Sequence, residues 1–434
     1  MRLLAQQAWL GGDTLQSNVL IEIADGVIKT VEADSGDDTA TRLGGVALPG
    51  MVNAHSHAFH RALRGQTHRQ GGDFWAWRDR MYEIAGQLDP AAYENLATGV
   101  FVEMALAGIT TVGEFHYLHH RPDGHPYEDP NEMGHALVRA ARRAGVRISL
   151  LDAGYFSAGF RDEPMSPVQR RFSDSDAERW LSRVADLATA YSQSNDVMVG
   201  LAPHSVRAVS ERNLSYLAEN RPPTTPIHIH LSEQLAENEA CIEATGTTPT
   251  GLLQRVGLLE SSTTAVHATH VTADDIAALG SSGTGVCYCA TTERDLADGI
   301  GPSGSLAAAG VPLSVGSDSH ATIDLFEEIR GIEFHERLRS GRRGVFAPSS
   351  LAEAATSVGA SSLGFESGKL EVGRPGDLTV VTGESPRTLG SGDDVAGIVY
   401  AATSADVTDV FVGGKRIVSG GSHPEWERVR HVLA

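Results

Sequence analysis

Two histidines separated by one residue follow a strand-like segment early in the chain. His55 and His57 end the segment 53–57, which comes after the apolar run 46–52. Because residues two apart on a strand share a face, the two imidazoles can point at one place. Such a pair is half of a metal site, and it predicts further ligands at the ends of other strands.

Polar clusters at the ends of later strand-like segments supply candidates for the missing ligands. They are His228-Ile-His230, His267-Ala-Thr-His270, Gly316-Ser-Asp-Ser-His320 and Glu114-Phe-His116. Three imidazoles and one carboxylate suit a borderline divalent ion such as Zn²⁺ and leave a position for water. The predicted ligands are His55, His57, His230 and Asp318.

Three side chains near these ligands could carry out hydrolysis. Water attack on an sp² carbon that bears nitrogen needs a base, a donor to the departing amine and charge stabilisation. Asp318, Glu233 and His267 can supply them. For Glu233, which follows His230 by three residues, the alternative is an acid in the first turn of the next helix.

The lysines bear on the number of metal ions. In many metal-binding barrel proteins a carboxylated lysine bridges a second ion. The only lysines of this chain are Lys29, Lys369 and Lys415, and all three lie in the terminal segments. One ion is therefore favoured, although Glu114 leaves a two-metal site open.

Composition limits the class of protein. The 434 residues suit an eight-stranded barrel with one appended domain. The net charge of −20 opposes binding to nucleic acid or anionic membranes. The chain has no long apolar run and no signal-like start, and its three cysteines imply no disulfide framework, so a cytoplasmic protein is expected. Cys287 and Cys289 are interpreted as small core residues.

Patterning divides the chain into two units of an α/β fold. Residues 1–47 and 368–434 contain short strands between glycine-rich turns and predict one small β-sandwich-like domain. Residues 397–400 are predicted to be one of its strands. In residues 48–367, strands alternate with amphipathic helices, which predicts a (β/α)8 barrel. The polar clusters follow its strands, where such a barrel assembles its active site.

These motifs resemble the amidohydrolase superfamily: His-x-His after strand one, His-x-x-Glu after strand five, a histidine on strand six and Ser-Asp after strand eight. Segment 368–378 is similar to the deaminase branch. The combination of segments 53–59, 74–78, 114–120, 202–207, 291–296 and 316–320 resembles the formimidoylglutamate deiminases. This resemblance implies hydrolysis of N-formimidoyl-L-glutamate to N-formyl-L-glutamate and ammonia in histidine degradation.

The resemblance also implies roles for single residues. One Zn²⁺ per subunit would be held by the four predicted ligands, Glu233 and His267 would be the catalytic pair, and Asp318 would also take a proton from the attacking water. The dianionic substrate would be held by Arg78, Tyr117, His204 and Arg207. His60 would also contact the substrate, at a position where the family is expected to have glutamine. A homodimer is expected.

Other interpretations stay open at this level. A related deaminase could act on a heterocycle such as guanine, cytosine or an adenosine derivative, which Trp75 and Trp77 could stack against. Arg78 and Arg207 could form internal salt bridges, and Tyr117 could be a packing residue. A barrel that binds sugars or amino acids without catalysis is the alternative from another class.

Overall fold

A computed structural model describes residues 1–67, 74–161 and 163–433, whose strands form two separate sheets. The strands are β1 (Arg2–Trp9), β2 (Leu15–Ala24), β3 (Val27–Glu32), β4 (Thr41–Pro49), β5 (Met51–Ser56), β6 (Ile109–His116), β7 (Arg147–Gly154), β8 (Val197–Pro203), β9 (Ile227–Leu231), β10 (Thr263–His267), β11 (Gly285–Tyr288), β12 (Leu313–Val315), β13 (Leu378–Val381), β14 (Val407–Val412) and β15 (Lys415–Ser419).

The helices lie mainly between the strands of the barrel. They are α1 (Phe74–Gln87), α2 (Pro90–Leu106), α3 (Glu132–Ala144), α4 (Ala177–Tyr191), α5 (Glu211–Asn220), α6 (Leu235–Thr245), α7 (Pro249–Val256), α8 (Ala273–Ser282), α9 (Ala290–Asp295), α10 (Ser303–Ala308), α11 (Leu325–Ser340), α12 (Pro348–Ala354), α13 (Ser357–Ser362), α14 (Val395–Ala401) and α15 (Trp426–Val429). Short 3-10 helices span Ala58–Leu63, Gln169–Phe172, Ser404–Asp406 and Arg430–Val432. Among the described residues, no helix is long and apolar enough to cross a bilayer.

The barrel consists of β5 to β12, which pair in chain order as parallel neighbours. A bridge between Ser56 and Asp318 joins the last strand region to the first. There the Asp318 amide donates to the His55 carbonyl at 3.0 Å, and the His57 amide donates to the Asp318 carbonyl at 3.1 Å. Since all eight strands expected for the barrel are present, the predicted (β/α)8 fold is confirmed.

The second sheet combines both ends of the chain in the strand order β15-β14-β13-β4-β1-β2-β3. Its apolar cluster includes Leu3, Ile21 and Phe411, so the N- and C-terminal strands share one core. The predicted domain limits at residues 47 and 368 stay predictions. Strand β4 reaches Pro49, two residues beyond the first of them.

Two local predictions are corrected. Residues 397–400 belong to helix α14 and not to a strand, because the Asp394 side chain caps the helix by accepting from the Gly397 amide. Val395, Ile398 and Val399 then face the core at helical spacing. The apolar run 46–52 is also divided: it leaves the small sheet at Pro49 and enters the barrel at Met51.

A buried ion pair joins the barrel to the small sheet. The Arg147 Nε and Nη2 atoms donate to the two oxygens of Asp377 at 2.7 and 3.1 Å, and both side chains are at most 9% exposed. The Asp377 carboxylate also accepts from the Gly413 amide. Loss of the carboxylate would leave a buried guanidinium without its counter-charge.

We therefore expect Asp377→Asn to lower the free energy of unfolding by about 3 kcal/mol in urea denaturation. The matched control is Glu366→Gln, because Glu366 pairs with Arg374 but its side chain is 89% exposed. That exposed pair should change stability by no more than about 0.5 kcal/mol. Equal effects of the two substitutions would contradict a structural role for the buried pair.

Candidate active site

The four predicted metal ligands meet at the carboxyl ends of the barrel strands. The Nε2 atom of His230 lies 3.2 Å from that of His55 and 3.3 Å from that of His57. The Asp318 Oδ1 atom lies 3.3 Å from the His55 Nε2 atom and 3.4 Å from the His57 Nε2 atom. All four side chains are buried. Residues on or just after β5, β9 and β12, the first, fifth and eighth strands of the barrel, thus present four ligand atoms around one point.

These distances allow all four atoms to bind one ion. Two atoms that each lie about 2.0 to 2.1 Å from the same zinc ion can be at most about 4.2 Å apart. Three imidazole nitrogens and one carboxylate oxygen also form a donor set that zinc accepts. The residues His55, His57, His230 and Asp318 therefore fit the predicted ion, with His267, Cys289 and Asp318 forming a looser group beside them.

Backbone carbonyls fix the orientation of two of the imidazoles. The His57 Nδ1 atom donates to the Phe115 carbonyl at 3.0 Å, and the His230 Nδ1 atom donates to the His204 carbonyl at 2.9 Å. Since a carbonyl can only accept, each Nδ1 carries the proton and each Nε2 lone pair is free for a metal ion.

The electrostatics of the site agree with these protonation states. Burial lowers the pKa of His55, His57 and His230, which keeps the rings neutral. Burial alone would raise the pKa of Asp318, but a hydrogen bond from His55 and the positive charge of His267 hold it well below its ordinary value. Neutral imidazoles and an ionised carboxylate are the forms that bind metal.

Several residues of the site have left-handed backbone conformations. The φ angles are +43° at Asp318, +73° at His267 and +52° at Ser232. Residues with a side chain rarely adopt such angles, and they persist only where the surrounding structure imposes them. The backbone is thus held in a strained form at strand ends that present the candidate ligands and catalytic groups.

Three carboxylates surround His267. Its Nε2 atom lies 3.7 Å from Glu233 Oε1 and 3.8 Å from Asp318 Oδ2, and its Nδ1 atom lies 3.5 Å from Glu293 Oε1. Burial alone would lower the pKa of His267, but these carboxylates raise it well above its ordinary value. The predicted catalytic residues Glu233, His267 and Asp318 therefore lie together, with a cationic imidazole between acids.

Glu293 is a site residue to which the sequence interpretation gave no role. It is buried, and its carboxylate accepts from the Cys289 amide at 3.1 Å. The carboxylate therefore has a fixed position from which it can orient the His267 ring. Its only signal in the sequence is its place in segment 291–296.

The carboxyl group of Glu114 supports the segment His55-Ser-His57 from behind. It accepts from the Ser56 hydroxyl at 2.5 Å and from the Ala58 amide at 2.7 Å. Burial raises the pKa of Glu114 to about 8. Glu114 belongs to none of the candidate ligand groups among the described residues, so it gives no support for a second ion.

A cavity of about 500 Å³ opens beside the candidate metal site. It is lined by all the predicted substrate contacts, which are His60, Arg78, Tyr117, His204 and Arg207. The His60 Nε2 atom and the Tyr117 hydroxyl are 2.7 Å apart. Tyr117 is buried, but it faces the cavity and is not only a packing residue. The structure therefore brings the candidate substrate contacts together next to the candidate catalytic groups.

The two arginines of the cavity come from different elements. Arg78 lies on α1, with its guanidinium carbon 5.7 Å from the centre of the Tyr82 ring. Arg207 follows β8 and forms no ion pair with any residue that the structure describes. Burial lowers the pKa of Arg207, but Tyr155 and Glu237 raise it above its ordinary value. An internal salt bridge therefore does not explain Arg207.

The barrel with three histidines and an aspartate at its strand ends defines a metal-dependent hydrolase class. The amidohydrolase family model matches residues 46–417, and the chain belongs to this family. It is thus a hydrolase that acts on C–N bonds.

Comparison with known proteins confirms the more specific resemblance. The chain is 37% identical over 424 residues to a formimidoylglutamate deiminase of Pseudomonas aeruginosa, covering 95% of this chain and 93% of that protein. It is 30% identical over 406 residues to a 5-methylthioadenosine/S-adenosylhomocysteine deaminase of Halobacterium salinarum, covering 92% and 87%. The crystal structure of an amidohydrolase from Brucella melitensis matches with a TM-score of 0.92 and 32% identity, over 100% of this chain and 98% of that one.

We expect Glu114→Gln to weaken zinc binding about tenfold or more, because the amide nitrogen that replaces one of the two Glu114 oxygens cannot accept the hydrogen bond from Ser56 or Ala58. Competition with a chelator would measure the dissociation constant without any need for activity. The control is Glu103→Gln on α2. Its carboxylate accepts hydrogen bonds from Arg61 and Arg64, which lie at the 3-10 helix Ala58–Leu63 and not at the metal ligands. Unchanged zinc affinity in Glu114→Gln would contradict the supporting role.

Proposed function

We propose that this protein hydrolyses N-formimidoyl-L-glutamate to N-formyl-L-glutamate and ammonia, with one zinc ion per subunit, as a step of histidine degradation. The observation that carries the proposal is Arg207, a cation in the cavity wall that forms no direct ion pair with a described carboxylate, since Glu233 and Glu237 act on it only at longer range. Arginine binds carboxylates through paired hydrogen bonds. In a chain with a net charge of −20, such a placement favours a ligand with carboxylates of its own.

The rest of the cavity suits the same substrate. Arg78 on α1 offers a second guanidinium, so that each carboxylate of a dianion has a cationic partner. His60, Tyr117 and His204 add polar atoms to the wall. The likeness to a formimidoylglutamate deiminase over 95% of this chain supports the same assignment.

The chain's own groups are arranged for removal of ammonia from an amidine. A bound zinc ion would lower the pKa of water and polarise the reacting carbon. Asp318 Oδ2, on the side of the carboxylate that faces His267, accepts a proton from the attacking water. His267 places positive charge beside the developing oxygen charge.

Glu233 completes the transfer of protons. Its carboxylate lies 3.7 Å from the His267 Nε2 atom and lines the cavity, where it can reach the departing nitrogen. The water oxygen bonds to the formimidoyl carbon, whose C=N double bond becomes a single bond. That C–N bond then breaks as the C=O bond forms, and both protons of the water end on the ammonia that leaves. The remaining formimidoyl carbon becomes the carbonyl carbon of the N-formyl product.

A second candidate is deamination of a heterocycle such as guanine, cytosine or an adenosine derivative. Aromatic side chains of the cavity, among them Trp77, Tyr155 and Phe172, offer stacking surfaces. The side chain of Trp75 lies outside the described residues. The two arginines and the lower identity to the nucleoside-type deaminase favour the dianionic substrate.

We also propose that the protein works in the cytoplasm as a homodimer and binds a small molecule, and neither nucleic acid nor a membrane. The excess of acidic over basic residues supports the last point, because phosphate groups need clustered cations. Size-exclusion chromatography with light scattering would test the dimer.

The assay that tests the proposed function compares three substrates. Zinc-loaded enzyme should release ammonia from N-formimidoyl-L-glutamate, and far less from guanine or adenosine at the same concentration. Removal of the metal with a chelator should abolish release, and added Zn²⁺ should restore it. Preferential release from either heterocycle would select the second candidate instead.

We expect Arg207→Met to raise KM for N-formimidoyl-L-glutamate about thirtyfold, which corresponds to a loss of about 2 kcal/mol of binding, with a much smaller change in kcat. Steady-state kinetics would measure the two constants separately. Arg212→Met is the control, because Arg212 lies at an exposed position of the adjacent helix α5. An unchanged KM would remove Arg207 from the substrate site.

A further inference from the structure

A single 3-10 turn after β7 contacts α1 and the segment after β6, which carry Arg78 and Tyr117, and it also contacts Tyr155, which lines the cavity with Arg207. The turn spans Gln169–Phe172, and Gln169, Arg171 and Phe172 are all buried, with exposed fractions of 7%, 0% and 2%. Only Phe172 lines the cavity, and nothing in the proposed reaction uses the other two. A buried guanidinium and a buried amide in one short turn require a physical reason.

Arg171 joins this turn to helix α1. Its guanidinium donates through Nη1 to the Ala85 carbonyl and through Nη2 to the Leu88 carbonyl at 2.7 Å. These carbonyls lie at the C-terminal end of α1, where the helix has unsatisfied acceptors and attracts positive charge. The same helix carries Arg78. The contact therefore links the turn to the helix that carries Arg78.

Arg171 also holds the segment that follows β6. Its Nε atom donates to the His120 carbonyl at 3.1 Å, and its own carbonyl accepts from the His119 and His120 amides at 3.1 and 2.9 Å. Tyr117 begins this segment. Arg171 forms no ion pair with any residue that the structure describes. Its guanidinium instead donates its hydrogen bonds to backbone carbonyls.

The other two residues of the turn act on the remaining wall. The Gln169 Nε2 atom donates to the Tyr155 hydroxyl at 2.8 Å, and Tyr155 neighbours Arg207 in the cavity. Phe172 packs edge-on against Tyr117 and Tyr155, with ring centres 5.1 and 5.8 Å apart. One turn thus contacts the surroundings of both arginines.

We propose that the turn Gln169–Phe172 determines substrate specificity, with Arg171 and Gln169 as positioning residues that set Arg78 and Arg207 for a ligand with two carboxylates. This inference rests on the proposed function. Neither residue touches the metal ligands, so their loss should impair binding and spare the chemical step.

The experiment compares Arg171→Met, Arg171→Lys and Gln169→Met with the wild-type holoenzyme. We expect KM for N-formimidoyl-L-glutamate to rise about tenfold or more in Arg171→Met and several-fold in Gln169→Met, with kcat within about threefold and zinc content unchanged. Arg171→Lys, which keeps the charge, should show an intermediate KM. A wild-type KM in Arg171→Met overturns the proposal.

Arg147→Lys separates positioning from a merely structural role. Arg147 is also a buried arginine, but it pairs with Asp377 at the junction with the small sheet. The Arg147→Lys substitution should lower the melting temperature without changing KM. If Arg171→Met behaves in the same way, the turn only stabilises the fold and the proposal is wrong.

A measurement without substrate keeps the inference distinct from the proposed function. Amide hydrogen exchange should be faster in the last turn of α1 in Arg171→Met than in wild type, and unchanged there in Arg147→Lys. If the wild-type enzyme does not hydrolyse N-formimidoyl-L-glutamate, the proposed function is wrong. Whatever that result, unchanged hydrogen exchange in α1 of Arg171→Met would overturn the role of Arg171.

Discussion

Closure of the barrel between its last and first strands is the constraint on which the candidate metal centre depends. The amide and carbonyl of Asp318 both bond to the segment 55–57, so the contact that closes the barrel also brings the carboxylate to the two histidines. The strands can approach this closely because Gly316 has no side chain: a Cβ atom there would lie 2.6 Å from the Cβ atom of His55. Asn53 strengthens the junction, because its side-chain nitrogen donates to the Ser317 hydroxyl and its side-chain oxygen accepts from the Ser317 backbone amide. A metal ion would therefore bind to a scaffold that backbone pairing has already assembled.

Burial alone would make every ionisable group of the site neutral, and the arrangement of partners decides which groups escape this. The ligand imidazoles stay neutral because burial lowers their pKa and Asp318 is the one carboxylate that opposes this, shared among them. His267 is held protonated because Glu233 and Glu293 lie on opposite sides of its ring. The same residue type thus takes two charge states within one site, and the difference comes from the neighbours and not from depth of burial.

The sequence predicted the barrel and the convergence of the ligands because both follow from local pattern and topology. Alternation of strands and helices indicates a parallel sheet, and the carboxyl ends of parallel strands meet at one edge. Helix α14 was missed because three hydrophobic residues after a glycine fit a strand as well as a helix, and the Asp394 cap is the feature that distinguishes the two. Glu293, Gln169 and Arg171 could not be assigned roles because their partners are distant in the chain and many of them are backbone atoms, which leave no mark on the sequence.

The division between a strand-built metal end and a loop-built substrate end explains how one fold serves different substrates. The candidate ligands are fixed by β5, β9 and the closure at β12, where any shift would disturb barrel pairing. Much of the cavity wall comes instead from elements outside the barrel strands. The segment after β8 also supports the metal end, because the His204 carbonyl accepts from the His230 Nδ1 atom, but α1, the segment after β6 and the 3-10 turn after β7 contribute no strand to the barrel. Changes there can alter which groups face the ligand without moving the metal centre. Relatives that are named for a formimidoyl amino acid and for nucleosides each match this chain over most of its length, which agrees with this division.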